Sequence, residues 1–388
     1  MMLSVHSPTK SVAEGRVRLA AAVDSEDGCR TLWFSLPEAF ADHVDPACLD
    51  PFVITLLFEA SRNGQDLTVK GRMSTRLFYN FSHGYAYLLS RLTEDSKIIR
   101  LLPSDLGDRS GSAGGDHVAA GFSAGIDSFQ TFIDHNVDPA IEGYRISHFL
   151  LNDVGSHGAS MTAAEVFTDR WRRVTRFANE MGMPLIDIQS NMADFFCGTP
   201  FQLTHTLRNV AAATLLQGYI GKFLYSSSFK YDECFVGPTY DVGYSEPYAL
   251  HLLSTDDLTC ISSGSRYSRL EKTINISQFE PTYRYLDVCV DPAAGGDKPN
   301  CSRCWKCSRA LLTFEALGVL DRYHEVFDLD VFRAHRDRYI ATTLHDMSRK
   351  NPNDADVLQF SRDRLINPPS AAKIIALRSR QKLASLRR

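Results

Sequence analysis

Residues 117–128, HVAAGFSAGIDS, decide the fold of this chain. The apolar residues 117–122 predict a short buried strand, and residues 127–135 predict a helix that begins directly after a turn of small residues. Such a turn lets the backbone come close to a ligand, and the free N–H groups at a helix start suit an anion such as phosphate. Ser123 and Ser128 add hydroxyl donors, and Asp127 either caps the helix or helps to hold Mg²⁺ beside the phosphates. An ordinary Ser/Gly turn is the alternative interpretation.

Strands alternate with helices on the C-terminal side of this turn. The pattern predicts further strands at 145–151, 184–188 and 223–226, with helices at 163–181 and 207–220 between them. Helices of this length between strands are typical of crossovers in a parallel sheet. We therefore expect an α/β fold with a parallel, doubly wound sheet.

The sequence as a whole divides into four predicted regions. Residues 1–103 are expected to form an N-terminal accessory α+β domain, and the Gly- and Ser-rich residues 104–116 a linker. Residues 117–330 form the expected main domain, and residues 331–388 a helical, basic C-terminal region. Nothing in the first region suggests catalysis, so its expected role is that of a scaffold or lid.

Composition narrows the classes of protein further. The chain has 388 residues, 44% of them hydrophobic and 23% charged, which is ordinary globular usage and argues against a disordered or fibrous protein. The net charge of −4 gives no bulk attraction to nucleic acid, although a local basic patch could still touch RNA. We see no apolar stretch of about 18 residues and no apolar leader, so we expect a cytoplasmic protein with no membrane contact.

Four cysteines near residue 300 form the second motif. Their spacing is Cys289-x11-Cys301-x2-Cys304-x2-Cys307, within the Gly- and Pro-rich stretch CVDPAAGGDKPNCSRCWKC. Four thiolates at one centre suit a closed, structural Zn²⁺ site, and Lys306 is one of the cations that would offset their charge. An iron–sulfur cluster and a group of free thiols are the alternatives.

The phosphate turn resembles a known signature. Residues 123–128, Ser-Ala-Gly-Ile-Asp-Ser, are similar to the Ser-Gly-Gly-x-Asp-Ser motif of the PP-loop ATP pyrophosphatases. The resemblance implies an adenine nucleotide alpha hydrolase-like fold that binds ATP and Mg²⁺. It also implies cleavage of ATP to AMP and pyrophosphate, with a carboxylate or amide oxygen activated as its adenylate. Ala124 departs from the family, which has glycine at that position.

The turn and the cysteines together resemble the 7-cyano-7-deazaguanine synthases and their relatives, over about residues 117–318. The resemblance implies an ATP-dependent ligase that forms a C–N bond between a 7-deazaguanine-type carboxylate and ammonia or another amine. Residues 1–103 have no counterpart in the narrow synthases. Some relatives in phage-defence operons join a deazaguanine to a protein N-terminus, so the acceptor stays open. A PP-loop tRNA thiolase and a catalytically degenerate nucleotide-binding partner are the other readings.

These arguments give three sets of candidate residues. The expected catalytic residues are Ser123, Asp127, Ser128 and Arg208. The expected nucleotide-binding residues are Ser123, Ala124, Gly125, Ile126, Asp127, Ser128, Asp153 and Lys272, with Arg269 as an alternative to Lys272 and His157 as an alternative to Asp153. The expected metal ligands are Cys289, Cys301, Cys304 and Cys307. A homodimer is possible on this evidence.

Overall fold

A computed structural model describes most of the chain, namely residues 3–107, 115–138, 141–156, 161–196, 198–291, 296–349, 351–364 and 367–385. The chain divides into two compact units. Unit 1 contains residues 1–122 and 134–265, and unit 2 contains residues 123–133 and 266–388. Among the described residues, no helix is both long and apolar enough to cross a membrane.

Unit 1 is built on a sheet in which the described residues form eleven strands. The bounds of these strands are β1 (Leu3–His6), β2 (Thr9–Ala13), β3 (Arg16–Ser25), β4 (Gly28–Pro37), β5 (Leu67–Met73), β6 (Leu101–Leu106), β7 (His117–Gly121), β8 (His148–Asp153), β9 (Leu185–Ser190), β10 (Ile220–Ser226) and β11 (Thr259–Ser263). Strand β3 alternates buried and more exposed residues, whereas β8 is buried almost throughout, as expected of a central parallel strand. The predicted α/β class is confirmed.

The five strands β7 to β11 form the parallel part of the sheet. Their order is β9-β8-β7-β10-β11, so the chain starts in the middle at β7, builds one side, and then crosses to build the other. This order is typical of doubly wound sheets. The sequence predicted β7 to β10 but not β11, because residues 259–263 (TCISS) carry only one strongly apolar side chain.

The sheet as a whole is mixed, whereas the sequence predicted a parallel one. Strand β4 pairs antiparallel with β9, through Phe34 opposite Ser190 and Ser35 opposite Gln189. Strands β4, β3 and β1 continue as antiparallel neighbours, and β1, β5 and β6 are parallel to one another. The N-terminal strands therefore extend the sheet that the parallel strands begin.

The predicted linker lies between two parts of this sheet. Its first residues, 104–106, belong to strand β6, where the sequence predicted a flexible segment. Residues 108–114 of the linker lie outside the described residues. Strands β6 and β7, on the two sides of the linker, belong to one sheet.

The helices of unit 1 supply part of its hydrophobic core, together with the strands. Their bounds are α1 (Asp50–Asn63), α2 (Thr75–Asn80), α3 (Ala86–Ser90), α5 (Met161–Glu180), α6 (His205–Thr214) and α7 (Glu246–Ala249). Helix α1 is buried along most of its length because its sequence is apolar on every face, and it packs against α6. Helix α6 ends earlier than the predicted residue 220, since the chain turns at residues 215–219 and enters β10.

Unit 2 consists mainly of helices. Their bounds are α4 (Ile126–Phe132), α8 (Arg269–Ile276), α9 (Thr282–Tyr285), α10 (Trp305–Ala316), α11 (Leu329–Arg338), α12 (His345–Met347), α13 (Pro352–Arg364) and α14 (Ala371–Ser385). Tyr323 is fully buried at the centre and stacks on Phe314 with ring centroids 3.8 Å apart. Its hydroxyl group lies 3.1 Å from the Thr282 hydroxyl, so this polar atom is satisfied inside the core.

We expect residues 104–388 alone not to fold. Deletion of residues 1–103 would remove β4 from its pairing with β9 and α1 from its packing against α6. A milder change in the same core, Phe52→Ala, should lower the free energy of unfolding by about 3–5 kcal/mol, because Phe52 is fully buried. Thermal and urea unfolding measure both effects.

The matched control is a chain that ends at residue 370 and so lacks helix α14, in which Ile375 is 65% exposed. This shorter chain should unfold cooperatively, and so should the full chain. Cooperative unfolding of residues 104–388 would show that the N-terminal strands are dispensable.

Candidate functional site

The turn at residues 123–128 contains a strained residue, Ala124. Ala124 is buried, and its φ of 58° lies in the left-handed region that favours glycine. Its carbonyl oxygen accepts a hydrogen bond of 2.9 Å from the backbone N–H of Asp287. For an alanine this conformation costs about 1–2 kcal/mol, so the surrounding structure must hold the turn in place. Alanine here adopts the conformation that the glycine of the resembled signature would adopt without strain.

The carboxylate of Asp127 lies between two cations. Its Oδ2 is 2.7 Å from Arg269 Nη1, and its Oδ1 is 3.2 Å from Lys272 Nζ. Burial alone would raise the pKa of Asp127, but the charges of Arg269 and Lys272 outweigh burial and lower it below its usual value. Asp127 is therefore ionised at neutral pH, and its side chain makes ion pairs instead of capping helix α4.

Helix α8 positions both cations. Arg269 and Lys272 are three residues apart, so they lie on the same face of the helix. Ser268 and Glu271 form a reciprocal capping box that fixes where α8 begins. The Lys272 side chain is 1% exposed and that of Asp127 is 22% exposed, so the ion pair joins a buried ammonium group to a partly exposed carboxylate. The sequence predicted Lys272, with Arg269 as the alternative, and in the structure both side chains contact Asp127.

Two more cations belong to the same electrostatic cluster. Arg309 on helix α10 pairs with the buried Asp354 at 3.3 Å. Burial, followed by the charges of Arg269 and Arg309, lowers the pKa of Lys306 to about 8. The cluster contains four cationic side chains, Arg269, Lys272, Lys306 and Arg309, and the carboxylates of Asp127 and Asp354. The charge of Cys304 also acts on Lys306 and raises its pKa, so the cysteine site adds negative charge beside these cations. Guanidinium and ammonium groups bind phosphate oxygens well, so the cluster offers donors for an anionic ligand.

The other residues of the turn have mixed surroundings. Ser123 is exposed, so its hydroxyl group can reach a ligand. Ser128 is buried, and its hydroxyl group donates a hydrogen bond of 3.0 Å to the carbonyl oxygen of Gly125. Ile126 is buried and packs as an apolar residue. Of the two predicted hydroxyl donors, Ser123 is thus the more accessible.

Asp153 and Arg208 belong to unit 1 and not to the unit that contains the turn. Arg208 is buried, donates hydrogen bonds to Thr204 Oγ1 at 2.8 Å and to the Val154 carbonyl oxygen at 2.6 Å, and stacks over Phe196. Burial lowers its pKa to about 10. These contacts give Arg208 a structural role in holding the segment after β8. His157 lies outside the described residues.

The four cysteines converge as predicted. Their sulfur atoms all lie within 4.8 Å of one another, and Cys289 Sγ is 4.0 Å from Cys304 Sγ. A tetrahedral Zn²⁺ site with Zn–S distances of about 2.3 Å requires sulfurs about 3.8 Å apart. The residues present therefore fit a tetrahedral metal ion such as zinc. Four thiolates also suit iron–sulfur chemistry, so this alternative stays open.

Backbone N–H groups support the thiolates. Those of Cys301 and Asp291 donate to Cys289 Sγ at 3.3 Å, and that of Cys304 donates to Cys301 Sγ at 3.3 Å. Hydrogen bonds from Cys289 and Cys307 lower the pKa of Cys304, which makes this sulfur the first to ionise. A metal ion would complete a centre that the backbone has already arranged.

Comparisons with protein-family models, with curated proteins and with solved structures found no match for this chain. The geometry of the turn and of the cysteine cluster must therefore carry the functional argument.

Sequence reasoning missed Arg309 and Asp354 and did not foresee that Asp127 would be paired with cations. The sequence contained a partial indication of Arg309 but none of Asp354. Lys306 and Arg309 flank Cys307, so a metal site at the cysteines brings both of them into one helix start. Asp354 lies 45 residues further on, and no local pattern connects it to Arg309.

We expect the purified protein to contain one tetrahedral metal ion, and Cys304→Ser to lose it. Loss of the metal leaves several thiols close together without a shared cation, so the melting temperature should fall as well. Elemental analysis by mass spectrometry and thermal unfolding measure the two effects. Cys29→Ser is the control, because Cys29 is exposed and lies outside the cluster. Full metal content in Cys304→Ser, or an unchanged melting temperature after chelation, would contradict the assignment.

Proposed function

We propose that this protein is an ATP-dependent ligase of the PP-loop type that activates a carboxylate as its adenylate and joins it to an amine. The observation that carries the proposal is the ion cluster at the turn, in which Arg269 and Lys272 flank Asp127 three residues after the strained Ala124. Cationic side chains of this kind are what a site for a polyphosphate needs.

Strand order supports the proposal. Ligands of doubly wound sheets bind beyond the carboxyl ends of the strands, at the point where the strand order reverses. Strand β7 is the strand from which the order β9-β8-β7-β10-β11 reverses, and the chain passes from β7 directly into the turn at residues 123–128. A nucleotide site at this turn agrees with the topology.

The proposed reaction has two steps. An oxygen of the substrate carboxylate attacks the α-phosphorus of ATP, the bond between that phosphorus and the bridging oxygen breaks, and pyrophosphate leaves. The amine then attacks the acyl carbon, AMP leaves with the electron pair of the broken C–O bond, and the amine gives up a proton. The products are an amide, AMP and pyrophosphate.

The main role of the chain's own residues would be to stabilise negative charge on the phosphates. Negative charge grows on the leaving pyrophosphate in the first step, and Arg269 and Lys272 are the cations that can stabilise it. The exposed hydroxyl group of Ser123 and the backbone of the turn would orient the phosphates. Mg²⁺ bound with ATP would shield the phosphate charges, and Asp127, being ionised, is the residue of the turn that could approach it.

The identity of the acid is proposed from the resemblance to the 7-cyano-7-deazaguanine synthases. A 7-deazaguanine-type carboxylate is therefore the first substrate to test, with ammonia as the amine. The metal at the cysteine cluster would order the start of helix α10, from which Lys306 and Arg309 project. In this proposal the metal performs no chemistry, because four thiolates leave it no open position.

The test measures formation of AMP and pyrophosphate from ATP, Mg²⁺, 7-carboxy-7-deazaguanine and ammonium by the full chain. We expect turnover that depends on the acid. Ser123→Ala should lower kcat/KM about tenfold, and Asp127→Asn at least about 100-fold, which corresponds to about 2.7 kcal/mol of transition-state stabilisation. Asp330→Asn is the control, because the Asp330 side chain is 93% exposed. Unchanged turnover in both site variants would remove the turn from the mechanism.

The variant Ala124→Gly tests whether the loop at residues 123–128 supports turnover or has lost that ability. Glycine relieves the left-handed strain and removes a methyl group, so a working loop should keep or improve its affinity for ATP. A native protein without turnover that gains it through Ala124→Gly would be a degenerate nucleotide-binding partner. A brown protein with visible absorbance would instead favour the thiolase reading.

A further inference from the structure

The C-terminal region carries a charge opposite to that of the rest of the chain. Residues 331–388 contain 13 Lys and Arg against 5 Asp and Glu, a net of +8. Residues 1–330 contain the other 29 Lys and Arg against 41 Asp and Glu, a net of −12. Such a separation of charge along one chain is typical of proteins in which one part meets a polyanion.

Helix α14 is held in place within unit 2 by contacts that its cations make. Arg378 Nε donates a hydrogen bond of 2.8 Å to the carbonyl oxygen of Ala341, in the helical segment Tyr339–Leu344. Lys373 Nζ lies 2.5 Å from Asp337 Oδ2 on helix α11. These contacts bring Arg378 close to helix α12, which begins directly after that segment at His345.

Three arginines gather around His345. Burial, followed by the charges of Arg378 and Arg349, lowers the pKa of His345; Arg362 acts in the same direction and Asp346 in the opposite one. Arg349 follows helix α12, Arg362 belongs to α13 and Arg378 to α14. Three separate elements thus bring like charges to one place, and we call these three residues the arginine cluster.

The charges of the arginine cluster are accessible and are not balanced by ion pairs. Arg349 and Arg362 are exposed, and Arg378 is half-buried. Within residues 331–388, the ion pairs of the described side chains belong to other cations, namely Arg309, Arg333, Arg336 and Lys373. Because like charges repel one another, an anionic partner would stabilise the cluster.

We propose that the arginine cluster is a docking surface for single-stranded RNA, whose phosphates accept hydrogen bonds from the three guanidinium groups. Guanidinium groups bind phosphate oxygens in a bidentate manner, and the counterions that the strand releases add to the affinity. A single strand, such as an RNA loop or tail, can bend its backbone around a compact group of charges, whereas a duplex holds its phosphates in fixed rows. The proposal goes beyond the ligase function and does not depend on it.

The surroundings of the cluster favour RNA over a lipid or protein partner. Among the described side chains of residues 331–388, Ile375 is the only large apolar one that is exposed. A helix that lies on a membrane needs a broad apolar face, and a protein interface needs apolar anchors at its centre. Interfaces with nucleic acids are instead polar and strongly positive on the protein side.

The experiment measures the fluorescence anisotropy of a labelled oligouridine of about 20 nucleotides with the native, full chain. We expect a dissociation constant of about 1–10 μM at 50 mM salt, which rises about 20-fold at 200 mM because three phosphate contacts release counterions. A DNA duplex of the same length should bind at least about tenfold more weakly. Absence of oligouridine binding, equal affinity for the duplex, or stronger binding to phosphatidylserine vesicles or polyglutamate would overturn the proposal.

Variants locate the binding. Arg349→Gln combined with Arg362→Gln should weaken binding at least about tenfold at 50 mM salt and lower the slope of its salt dependence by about 1.4. The control combines Arg100→Gln with Arg333→Gln, which changes the net charge equally at two exposed arginines that already pair with carboxylates, and it should keep the native affinity. Thermal unfolding shows whether the variants are folded. If the first double variant does not fold, Arg362→Gln alone decides, with a loss of at least about threefold. Native affinity in the folded variant would place the RNA elsewhere and overturn the proposal.

Discussion

The ion cluster around Asp127 is the interaction on which the candidate site depends. The turn holds Ala124 in a conformation that costs energy, and the residue three positions later is held by Arg269 and Lys272 from helix α8. Because Lys272 is buried, loss of Asp127 would take a carboxylate away from an ammonium group that water does not solvate. The same contacts thus fix the turn and gather the cations that a polyanionic ligand requires.

A second constraint comes from the sheet. The parallel strands β7 to β11 form a doubly wound arrangement, but β9 does not end it, since β4 pairs with β9 and carries the sheet on to β6. Helix α1 is apolar on every face and packs against α6, so the N-terminal residues supply part of the core beneath the parallel strands.

Local patterns explain which features the sequence could predict. The strands and helices of residues 117–226 follow from hydrophobic runs, and the convergence of the cysteines follows from their spacing. The mixed sheet could not be foreseen, because the pairing of β4 with β9 joins residues more than 150 positions apart by backbone hydrogen bonds that any side chain permits. The pairing of Arg309 with Asp354 likewise depends on tertiary packing. Arg208 was expected at the site, and its buried hydrogen bonds to Thr204 and to the Val154 carbonyl oxygen are contacts that no local pattern predicted.

The most direct test of the central claim is a double-mutant cycle on the free energy of unfolding, with Asp127→Asn, Lys272→Met and the double variant. If Asp127 and Lys272 depend on each other, Asp127→Asn alone should cost about 3–5 kcal/mol, because it takes a carboxylate away from the buried ammonium group of Lys272. The double variant should then be more stable than the sum of the single effects implies, by about 1–3 kcal/mol. Additive effects within about 0.5 kcal/mol would show that the two side chains do not depend on each other, and the account of the turn would fail.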